Sequence, residues 1–178
     1  MAKKILVIST TLRKNGNSAA LAEAFAKGAR QAGNEVETVS LAGKTINFCR
    51  GCLACQRTRK CVIKDDANAI VEKMKNADAI AFATPVYYYE MSGQMKTLLD
   101  RANPLFESDY TFTDIYLLAT AADESESATD GAENGLGGWI SCFDRARLAG
   151  IVKGVGFTDV GEVSEEKLAE AEKLGKNA

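Results

Sequence analysis

The chain has 178 residues, of which 46% are apolar and 26% are charged, a composition typical of one soluble globular domain spanning residues 1–178. Its 22 basic and 24 acidic residues give a net charge of −2, which argues against a nucleic-acid partner because no basic excess is available to neutralise phosphates. The sequence contains no histidine, and this absence excludes Ser-His-Asp catalysis, Cys-His catalysis and histidine-ligated metals.

The first predicted element is a strand over Lys4–Ser9, a short apolar run of the kind that is buried on both faces of a parallel sheet. This run is too short for the hydrophobic part of a signal peptide, and no apolar run approaches the roughly 20 residues that cross a bilayer. We therefore expect a cytoplasmic protein without membrane contact, in a compartment where thiols stay reduced.

A helix and a second strand follow. Apolar residues recur at helical spacing over Leu21–Ala32 and predict a helix that ends at Gly33. Glu35–Leu41 alternates between polar and apolar residues and predicts a strand near a sheet edge. After a cysteine-rich loop, Asp65 or Asp66 is expected to cap another helix.

The remaining predicted elements continue this alternation. A strand over Ala79–Ala83 is expected to stop at Thr84 and Pro85, because proline cannot donate to a sheet ladder. The elements after it are a helix over Met91–Ala102, a strand over Ile115–Ala119, a loop over Ala121–Gly138, a helix over Trp139–Leu148, a strand over Ile151–Val160 and a closing helix that opens at Ser164.

Short buried strands that alternate with helices predict an α/β doubly wound parallel sheet with helices on both faces. In such sheets, ligands bind beyond the carboxyl ends of the strands, at the point where the strand order reverses. The loops after the first, third and fourth strands are therefore the expected binding site.

The loop after the first strand is rich in polar side chains. They surround the N-terminus of the predicted helix, whose free N–H groups and dipole attract anions. The loop matches neither G-x-G-x-x-G nor a P-loop, and its hydroxyl groups suit a monophosphate. The alternative is a helix capped by Ser18 beside a solvated turn. The polar side chains are those of Ser9, Thr10, Thr11, Arg13, Asn17 and Ser18.

Three consecutive tyrosines, Tyr87 to Tyr89, follow the third predicted strand. Three adjacent aromatic side chains cannot all point into a core, and beside the rigid Pro85 they suit the face and edge of a flat heterocycle. The alternative is a packed aromatic corner or a subunit interface. The loop after the fourth strand, at residues 120–123, brings small residues to the same edge of the sheet.

Together these segments resemble the NADPH-dependent FMN reductase family of flavodoxin-like proteins. The family's phosphate loop commonly reads Gly-Ser-Pro-Arg-x-x-Gly-Asn-Thr, and this chain has TTLRKNGNS at residues 10–18. The family's T-P-[VI]-Y segment stands here as TPVY at residues 84–87, followed by a helix that reads SGQMKTLLDR. The chain differs in having TTL in place of Gly-Ser-Pro and in an acidic third loop.

The resemblance implies a flavodoxin-like three-layer sandwich whose five-stranded parallel sheet has the order 2-1-3-4-5. It also implies FMN as the cofactor, with its phosphate at the first loop and its isoalloxazine ring at the second and third. Because flavin N5 carries the hydride chemistry, no catalytic side chain is expected. The implied phosphate-side residues are Ser9, Thr11, Arg13, Asn17 and Ser18, and the implied ring-side residues are Pro85, Val86, Tyr87, Tyr88, Thr120 and Ala121.

Four of the five cysteines lie in a loop at residues 47–66 with the spacing C-x2-C-x2-C-x5-C. Three cysteines at intervals of three place their thiolates on one wrapped loop, and a fourth closes the cage, as in cubane clusters. The spacing resembles that of the iron–sulfur flavoprotein branch of the family, which implies a 4Fe-4S cluster. Bare thiols, structural zinc and a disulfide are the alternatives. The implied ligands are Cys49, Cys52, Cys55 and Cys61.

The fifth cysteine, Cys142, is expected to be a small core residue. It lies far from the other four in the sequence, on the helix predicted around Trp139.

These features predict an FMN-dependent oxidoreductase that moves electrons from NAD(P)H or ferredoxin to a small acceptor such as a flavin or quinone, relayed through the cluster. Two alternatives are a cluster-free NAD(P)H-dependent FMN or quinone reductase and an FMN electron carrier without small-molecule turnover. A zinc-stapled adaptor would leave both FMN loops unexplained. Nothing in the sequence separates NADH from NADPH, and the helix after the tyrosines is expected to pair subunits in a homodimer or homotetramer.

Overall fold

A parallel sheet runs through the middle of the protein. In the computed structural model, which describes residues 2–178, five parallel strands form this sheet and one short antiparallel strand, β4, extends the end of β3. The central strands are the short apolar runs that a sheet buried on both faces requires. The strands are Lys4–Ser9 (β1), Glu35–Ser40 (β2), Ala79–Tyr87 (β3), Glu90–Met91 (β4), Asp114–Thr120 (β5) and Arg147–Gly154 (β6).

The strand order is β2-β1-β3-β5-β6, with β4 paired only to β3. Without the short β4, this is the predicted order 2-1-3-4-5, so the flavodoxin-like arrangement is confirmed. The predicted edge position of the second strand is also confirmed. The order reverses between β1 and β3, which places the expected ligand site at the carboxyl ends of those two strands.

Helices cover both faces of the sheet. Residues of α1 and α6 pack in one apolar core, and residues of α3, α4 and α5 pack in the other. Within residues 2–178, no helix combines the length and the apolar character needed to cross a membrane. The helices are Asn17–Gln31 (α1), Ala54–Thr58 (α2), Asp66–Asn76 (α3), Gly93–Arg101 (α4), Asp130–Ile140 (α5) and Glu165–Lys176 (α6), with short 3-10 helices at Asn103–Leu105 and Glu126–Thr129.

The predicted boundaries between residues 121 and 160 are wrong. The helix expected at Trp139–Leu148 lies at Asp130–Ile140, mostly within the expected loop, and β6 begins and ends earlier than the predicted strand. The helix is rich in glycine, so its intrinsic propensity argues against it. Tertiary packing decides instead: a Cβ atom at Gly131 would lie 2.1 Å from the carbonyl oxygen of Tyr89.

The third strand does not stop at Thr84 and Pro85 but continues to Tyr87. Pro85 pairs with Thr120 of β5 near the end of the strand, where the missing N–H group is tolerated. Because β4 then folds back on β3 as a hairpin, α4 begins at Gly93, two residues later than predicted.

Candidate functional site

Three loops meet at the carboxyl edge of the sheet. The backbone N–H of Thr10, just after β1, donates to the carbonyl oxygen of Ala83 in β3 at 2.9 Å. Pro85 in turn pairs with Thr120 at the end of β5. The structure therefore brings the three segments that carry the predicted cofactor residues to one edge, in the order first loop, tyrosine hairpin, third loop.

Three buried hydroxyl groups join the first loop to the start of α4. Thr10 Oγ1 donates to the carbonyl oxygen of Ala83 at 3.0 Å and lies 3.0 Å from Ser92 Oγ. Thr84 Oγ1 donates to Ser92 Oγ at 3.2 Å and accepts the Ser92 N–H at 3.0 Å. These hydroxyls are used within the protein, so they fix the edge of the sheet rather than bind a ligand. Ser92 is not among the site residues predicted from the sequence, although its place before an apolar helical stripe is typical of an N-cap.

The N-terminus of α1 has the features of an anion site. Gly16 occupies the N-cap position of α1, so no side chain caps this helix. The alternative in which Ser18 caps it is therefore wrong. The hydroxyls of Ser9 and of Ser18, which is 1% exposed, are buried without a hydrogen-bond partner among residues 2–178. Because an unpaired buried hydroxyl is destabilising, the Ser18 hydroxyl in the first turn of α1 and the Ser9 hydroxyl at the end of β1 indicate that a ligand supplies the partners. The residues present fit a phosphate group.

Arg13 contacts the β6–α6 loop at residues 155–164, a segment in which no site residue is predicted from the sequence. Its Nη1 donates to the carbonyl oxygen of Thr158 at 2.9 Å, and its Nη2 lies 3.9 Å from Asp159 Oδ1. The Arg13 side chain is 51% exposed. The Arg13 side chain thus joins the first loop, which leads into α1, to the β6–α6 loop.

Asn17 is fully engaged with the same β6–α6 loop. Its Nδ2 donates to the carbonyl oxygen of Asp159 at 2.8 Å, and its Oδ1 accepts the backbone N–H groups of residues 161, 162 and 163 at 3.0, 3.1 and 3.3 Å. These partners lie more than 140 positions along the chain, so no local pattern in the sequence reveals them. The Asn17 side chain holds this loop in place, and Ser18 beside it remains unpaired.

The tyrosines form the tip of the β3–β4 hairpin. Tyr88 and Tyr89 have positive φ angles of 51° and 63°, a backbone conformation that costs a bulky residue about 1–2 kcal/mol. All three are exposed, Tyr88 completely, which confirms that they do not all enter the core. Strain of this kind persists only where neighbouring structure holds it, and it is concentrated at functional sites.

The third loop supplies part of that support. Tyr89 Oη donates to Asp123 Oδ2 at 3.0 Å. This hydrogen bond and the charge of Asp123 raise the pKa of Tyr89, and the backbone N–H of Ser125 together with Tyr89 lowers the pKa of Asp123. At neutral pH Asp123 is therefore an anion that holds a neutral tyrosine. The acidic third loop, which distinguishes this chain from the family pattern, fixes the aromatic hairpin.

The four loop cysteines line a cavity of about 480 Å³ with Trp139 and Phe143. Cys142 lines the same cavity and is exposed, so its predicted core position is wrong. All five thiols are free, which removes the disulfide alternative within residues 2–178. No three His, Cys, Asp or Glu side chains of these residues stand close enough together to hold a metal ion. Four soft thiol donors around one cavity nevertheless have the chemistry of an iron–sulfur ligand set.

A buried ion pair holds both ends of the cysteine loop. Arg101, at the end of α4, makes a two-pronged salt bridge with Asp65, with N–O distances of 2.6 and 2.9 Å. The guanidinium also donates to the carbonyl oxygens of Asn47 and Ile63 at 2.8 and 3.1 Å. Because Asn47 precedes the first loop cysteine and Ile63 follows the last, one side chain closes the base of the loop. We call these residues the arginine clamp.

The clamp changes the ionisation of its carboxylate. Burial raises the pKa of Asp65, but hydrogen bonds from Arg101 and Asn47 outweigh burial and hold the pKa well below its usual range. Asp65 also accepts the N–H of Ala67, which confirms it as the N-cap of α3. Arg101 is not among the site residues predicted from the sequence. The one signal was a basic residue three positions after Leu98 in an otherwise apolar helical stripe.

A model of the NADPH-dependent FMN reductase family matches residues 3–141. The chain belongs to this family. The match of the NADPH-dependent FMN reductase model covers the first loop, the tyrosine hairpin, the third loop and the cysteine loop, and it ends before β6.

Curated relatives and solved structures agree with this assignment. An iron–sulfur flavoprotein of Methanocaldococcus jannaschii is 41% identical over 102 residues, which cover 57% of this chain and 53% of the relative. The chain spans about half the length of the curated relatives it matches. The resemblance to iron–sulfur flavoproteins is thus confirmed at the level of sequence.

Two solved structures show the fold. An NAD(P)H:quinone oxidoreductase from Methanothermobacter marburgensis superposes with a TM-score of 0.74 at 17% identity, covering 99% of this chain and 97% of that one. A flavodoxin from the domain Archaea gives a TM-score of 0.60 at 17% identity, covering 98% of this chain and 94% of that one. Like this member of the NADPH-dependent FMN reductase family, both have the flavodoxin-like fold.

Proposed function

We propose that the protein is an FMN-dependent oxidoreductase that uses NAD(P)H or ferredoxin as electron donor. The observation that carries the proposal is the unpaired buried hydroxyl of Ser18 in the first turn of α1, with that of Ser9 at the end of β1, on the same sheet edge as a strained aromatic hairpin. One end of this edge suits a phosphate and the other suits a flat ring. Membership of the NADPH-dependent FMN reductase family supports FMN as the ligand that joins them.

The proposed cofactor residues divide into two groups. The phosphate lies at the N-terminus of α1, where the helix dipole and Ser18 attract it and Arg13 supplies positive charge. Asn17 contributes by holding the β6–α6 loop against this site. The isoalloxazine ring lies against the hairpin and the third loop. The residues are Ser9, Thr11, Arg13, Asn17 and Ser18 for the phosphate, and Pro85, Val86, Tyr87, Tyr88, Thr120 and Ala121 for the ring.

When bound, FMN supplies an N5 atom that accepts a hydride and an isoalloxazine system that releases electrons singly or in pairs. The chain's own residues bind and orient the cofactor, and no side chain is required as acid or base. The hydrogen bond from Tyr89 to Asp123 holds the strained hairpin backbone, so little backbone conformational entropy is lost when a ring packs against it. A small acceptor such as a quinone or flavin suits the open edge beside these exposed aromatic rings.

We further propose that Cys49, Cys52, Cys55 and Cys61 hold a 4Fe-4S cluster that relays single electrons. Their common cavity and the names of the iron–sulfur flavoprotein relatives support this proposal. The cluster-free reductase is the second candidate, favoured by the separation of the thiols in the structure. An absorption spectrum with iron and sulfide analysis of anaerobically purified protein distinguishes them. Flavin with about four irons and four sulfides supports the relay, flavin alone supports the second candidate, and a colourless protein refutes both.

The phosphate contact is tested by Arg13→Ala. Loss of a charged hydrogen bond is worth about 1.5–3 kcal/mol, so FMN should bind roughly 10- to 100-fold more weakly, as measured by fluorescence titration of the apoprotein. Riboflavin, which has no phosphate, should bind the variant and the wild type equally. Arg30→Ala, an exposed change at the far end of α1, is the control. Equal weakening of FMN and riboflavin would contradict a phosphate role for Arg13.

A further inference from the structure

Cys55 differs from the other three cysteines of the loop. Its side chain is buried, whereas Cys49 and Cys52 are exposed and Cys61 is partly exposed. Cys55 lies in α2, a single turn of helix bounded on both sides by residues with a left-handed backbone, Leu53 and Arg59. Its position is therefore set by the fold before any ligand binds.

The Cys55 sulfur has a hydrogen-bond donor from another part of the chain. Asn103 Nδ2 lies 3.0 Å from Cys55 Sγ, and Asn103 lines the same cavity as the cysteines. A thiolate can only accept a hydrogen bond, so the amide nitrogen rather than the amide oxygen must face a ligating sulfur. Both partners are held, because Pro104 follows Asn103 in a 3-10 helix and Leu105 N–H donates to the carbonyl oxygen of Ala102 at 2.9 Å.

Asn103 is also tied to the rest of the cysteine loop through the arginine clamp. Arg101, two residues earlier, fixes the loop at Asn47 and Ile63, and Asn103 meets it at Cys55. One short segment, residues 101–103, thus forms hydrogen bonds with the loop at three points. A donor placed by this segment keeps its distance to Cys55 even where the exposed cysteines must move to close around a metal.

We propose that Asn103 is a positioning residue that orients Cys55 as the first ligand of the cluster and raises the reduction potential of that cluster through an N–H···S hydrogen bond. The inference rests on the proposed function, because it concerns a cluster ligand. Hydrogen bonds to cluster sulfurs draw negative charge from them and favour the reduced state, and partners of this kind also hold a ligand in its binding orientation. Among residues 2–178 no hydrogen bond joins the Asn103 side chain to a flavin loop, so FMN affinity is expected to stay unchanged when Asn103 is replaced.

The test is Asn103→Leu, which keeps the size of the side chain and removes the donor. The midpoint potential of the cluster is measured by dye-mediated titration followed by electron paramagnetic resonance, and iron release to a chelator is timed. We expect a more negative potential and faster iron release than in the wild type, with FMN affinity unchanged. Asn76→Leu, on α3 with its amide bonded to Glu72, is the matched control and should change neither value.

Asn103→Asp provides a second variant in case the leucine variant does not fold. It replaces the donor with a carboxylate and should shift the potential further in the negative direction. If the wild-type protein contains the cluster and both folded variants have the same potential and the same rate of iron release as the wild type, the inference is overturned. The proposed function is then left intact. A wild-type protein that contains flavin but neither iron nor sulfide overturns the cluster proposal and this inference together.

Discussion

At the scale of single residues, some hydroxyl groups at the sheet edge form hydrogen bonds within the protein and others have no partner in the described part of the chain. Thr10, Thr84 and Ser92 satisfy one another and the backbone of β3. Ser18 is equally buried but has no partner among residues 2–178. The protein without ligand therefore carries a penalty at Ser18 that phosphate binding would remove.

The first prediction concerns Ser18→Ala. Because the change removes an unpaired buried hydroxyl, the apoprotein should be as stable as the wild type or more stable by about 1 kcal/mol. FMN should bind about tenfold more weakly, since roughly 1.4 kcal/mol of hydrogen bonding is lost. Urea unfolding of the apoprotein and fluorescence titration with FMN measure the two effects.

The opposite signs of these effects are what identify a ligand role. Ser141→Ala, at an exposed serine just after α5, is the control and should leave FMN affinity unchanged. A Ser18→Ala apoprotein that is less stable and binds FMN normally would show that the hydroxyl serves the fold.

Residue identities at this edge could be predicted from the sequence, but the contacts of each side chain could not. The motif from Thr10 to Ser18 indicated an anion site because its residue types suit one ligand. The partners of Asn17 lie in the β6–α6 loop, more than 140 positions away, and that loop carries no motif. Long-range pairing is set by the fold, so a local pattern can name a residue without showing what it touches.

At the scale of elements, α5 and the tyrosine hairpin are fitted to one another. A Cβ atom at Gly131 would lie 2.1 Å from the carbonyl oxygen of Tyr89, and one at Gly135 would lie 2.8 Å from the end of Met91. The hairpin therefore packs against a face of α5 that is formed by glycines. This close approach explains why a sequence with many glycines forms a helix here, against its propensity.

The second prediction compares two glycine substitutions in α5. Gly131→Ala should destabilise the protein by about 1–3 kcal/mol, because the methyl group meets backbone that cannot move without disturbing the hairpin. Gly137→Ala is the matched change: nothing lies within 4 Å of its Cβ position, and alanine should stabilise the helix by up to about 1 kcal/mol. Urea unfolding measures both changes, and destabilisation by both alike would contradict the packing argument.

The same elements show where sequence patterns succeed. The bounds of β1 were predicted correctly, because a continuous apolar run between polar loops leaves no other reading. The bounds of α5 and β6 were not predicted correctly. Glycines that make room for a neighbouring element are, in the sequence alone, typical of a loop. Cys142 is expected in the core because a free cysteine behaves as a small hydrophobic residue, but it lies just after α5 and is exposed.

At the scale of the whole molecule, α4 connects the two candidate sites. Its N-cap, Ser92, belongs to the hydroxyl group at the flavin edge, and its last residue, Arg101, closes the cysteine loop. Nine helical residues span about 14 Å, so the two sites are separate but rigidly joined. The cysteine loop at the second site is basic, although the protein as a whole is acidic. From residue 46 to 64 it has no acidic residue and five basic ones, Arg50, Arg57, Arg59, Lys60 and Lys64.

The third prediction tests the arginine clamp that anchors this arrangement. Asp65→Asn leaves Arg101 buried without a counter-charge, and breaking a buried pair in this way costs about 3–5 kcal/mol at neutral pH. Asp100→Asn removes an exposed pair with Lys96 and should cost roughly 0.5 kcal/mol or less. Urea unfolding gives both values, and equal small losses would show that the clamp contributes little.

The pH dependence of this loss follows from the direction of the Asp65 pKa shift. The pKa of Asp65 is lower in the folded protein than the value of about 3.9 expected in the unfolded chain, so the pair stabilises the fold fully above that value. As the pH falls below it towards the folded pKa, the unfolded chain takes up the proton first and the stabilisation declines. The unfolding free energy of the wild type should therefore approach that of Asp65→Asn on acidification below about pH 4. A constant difference between the two from neutral pH to the acid limit would mean that the carboxylate charge of Asp65 does not hold the loop.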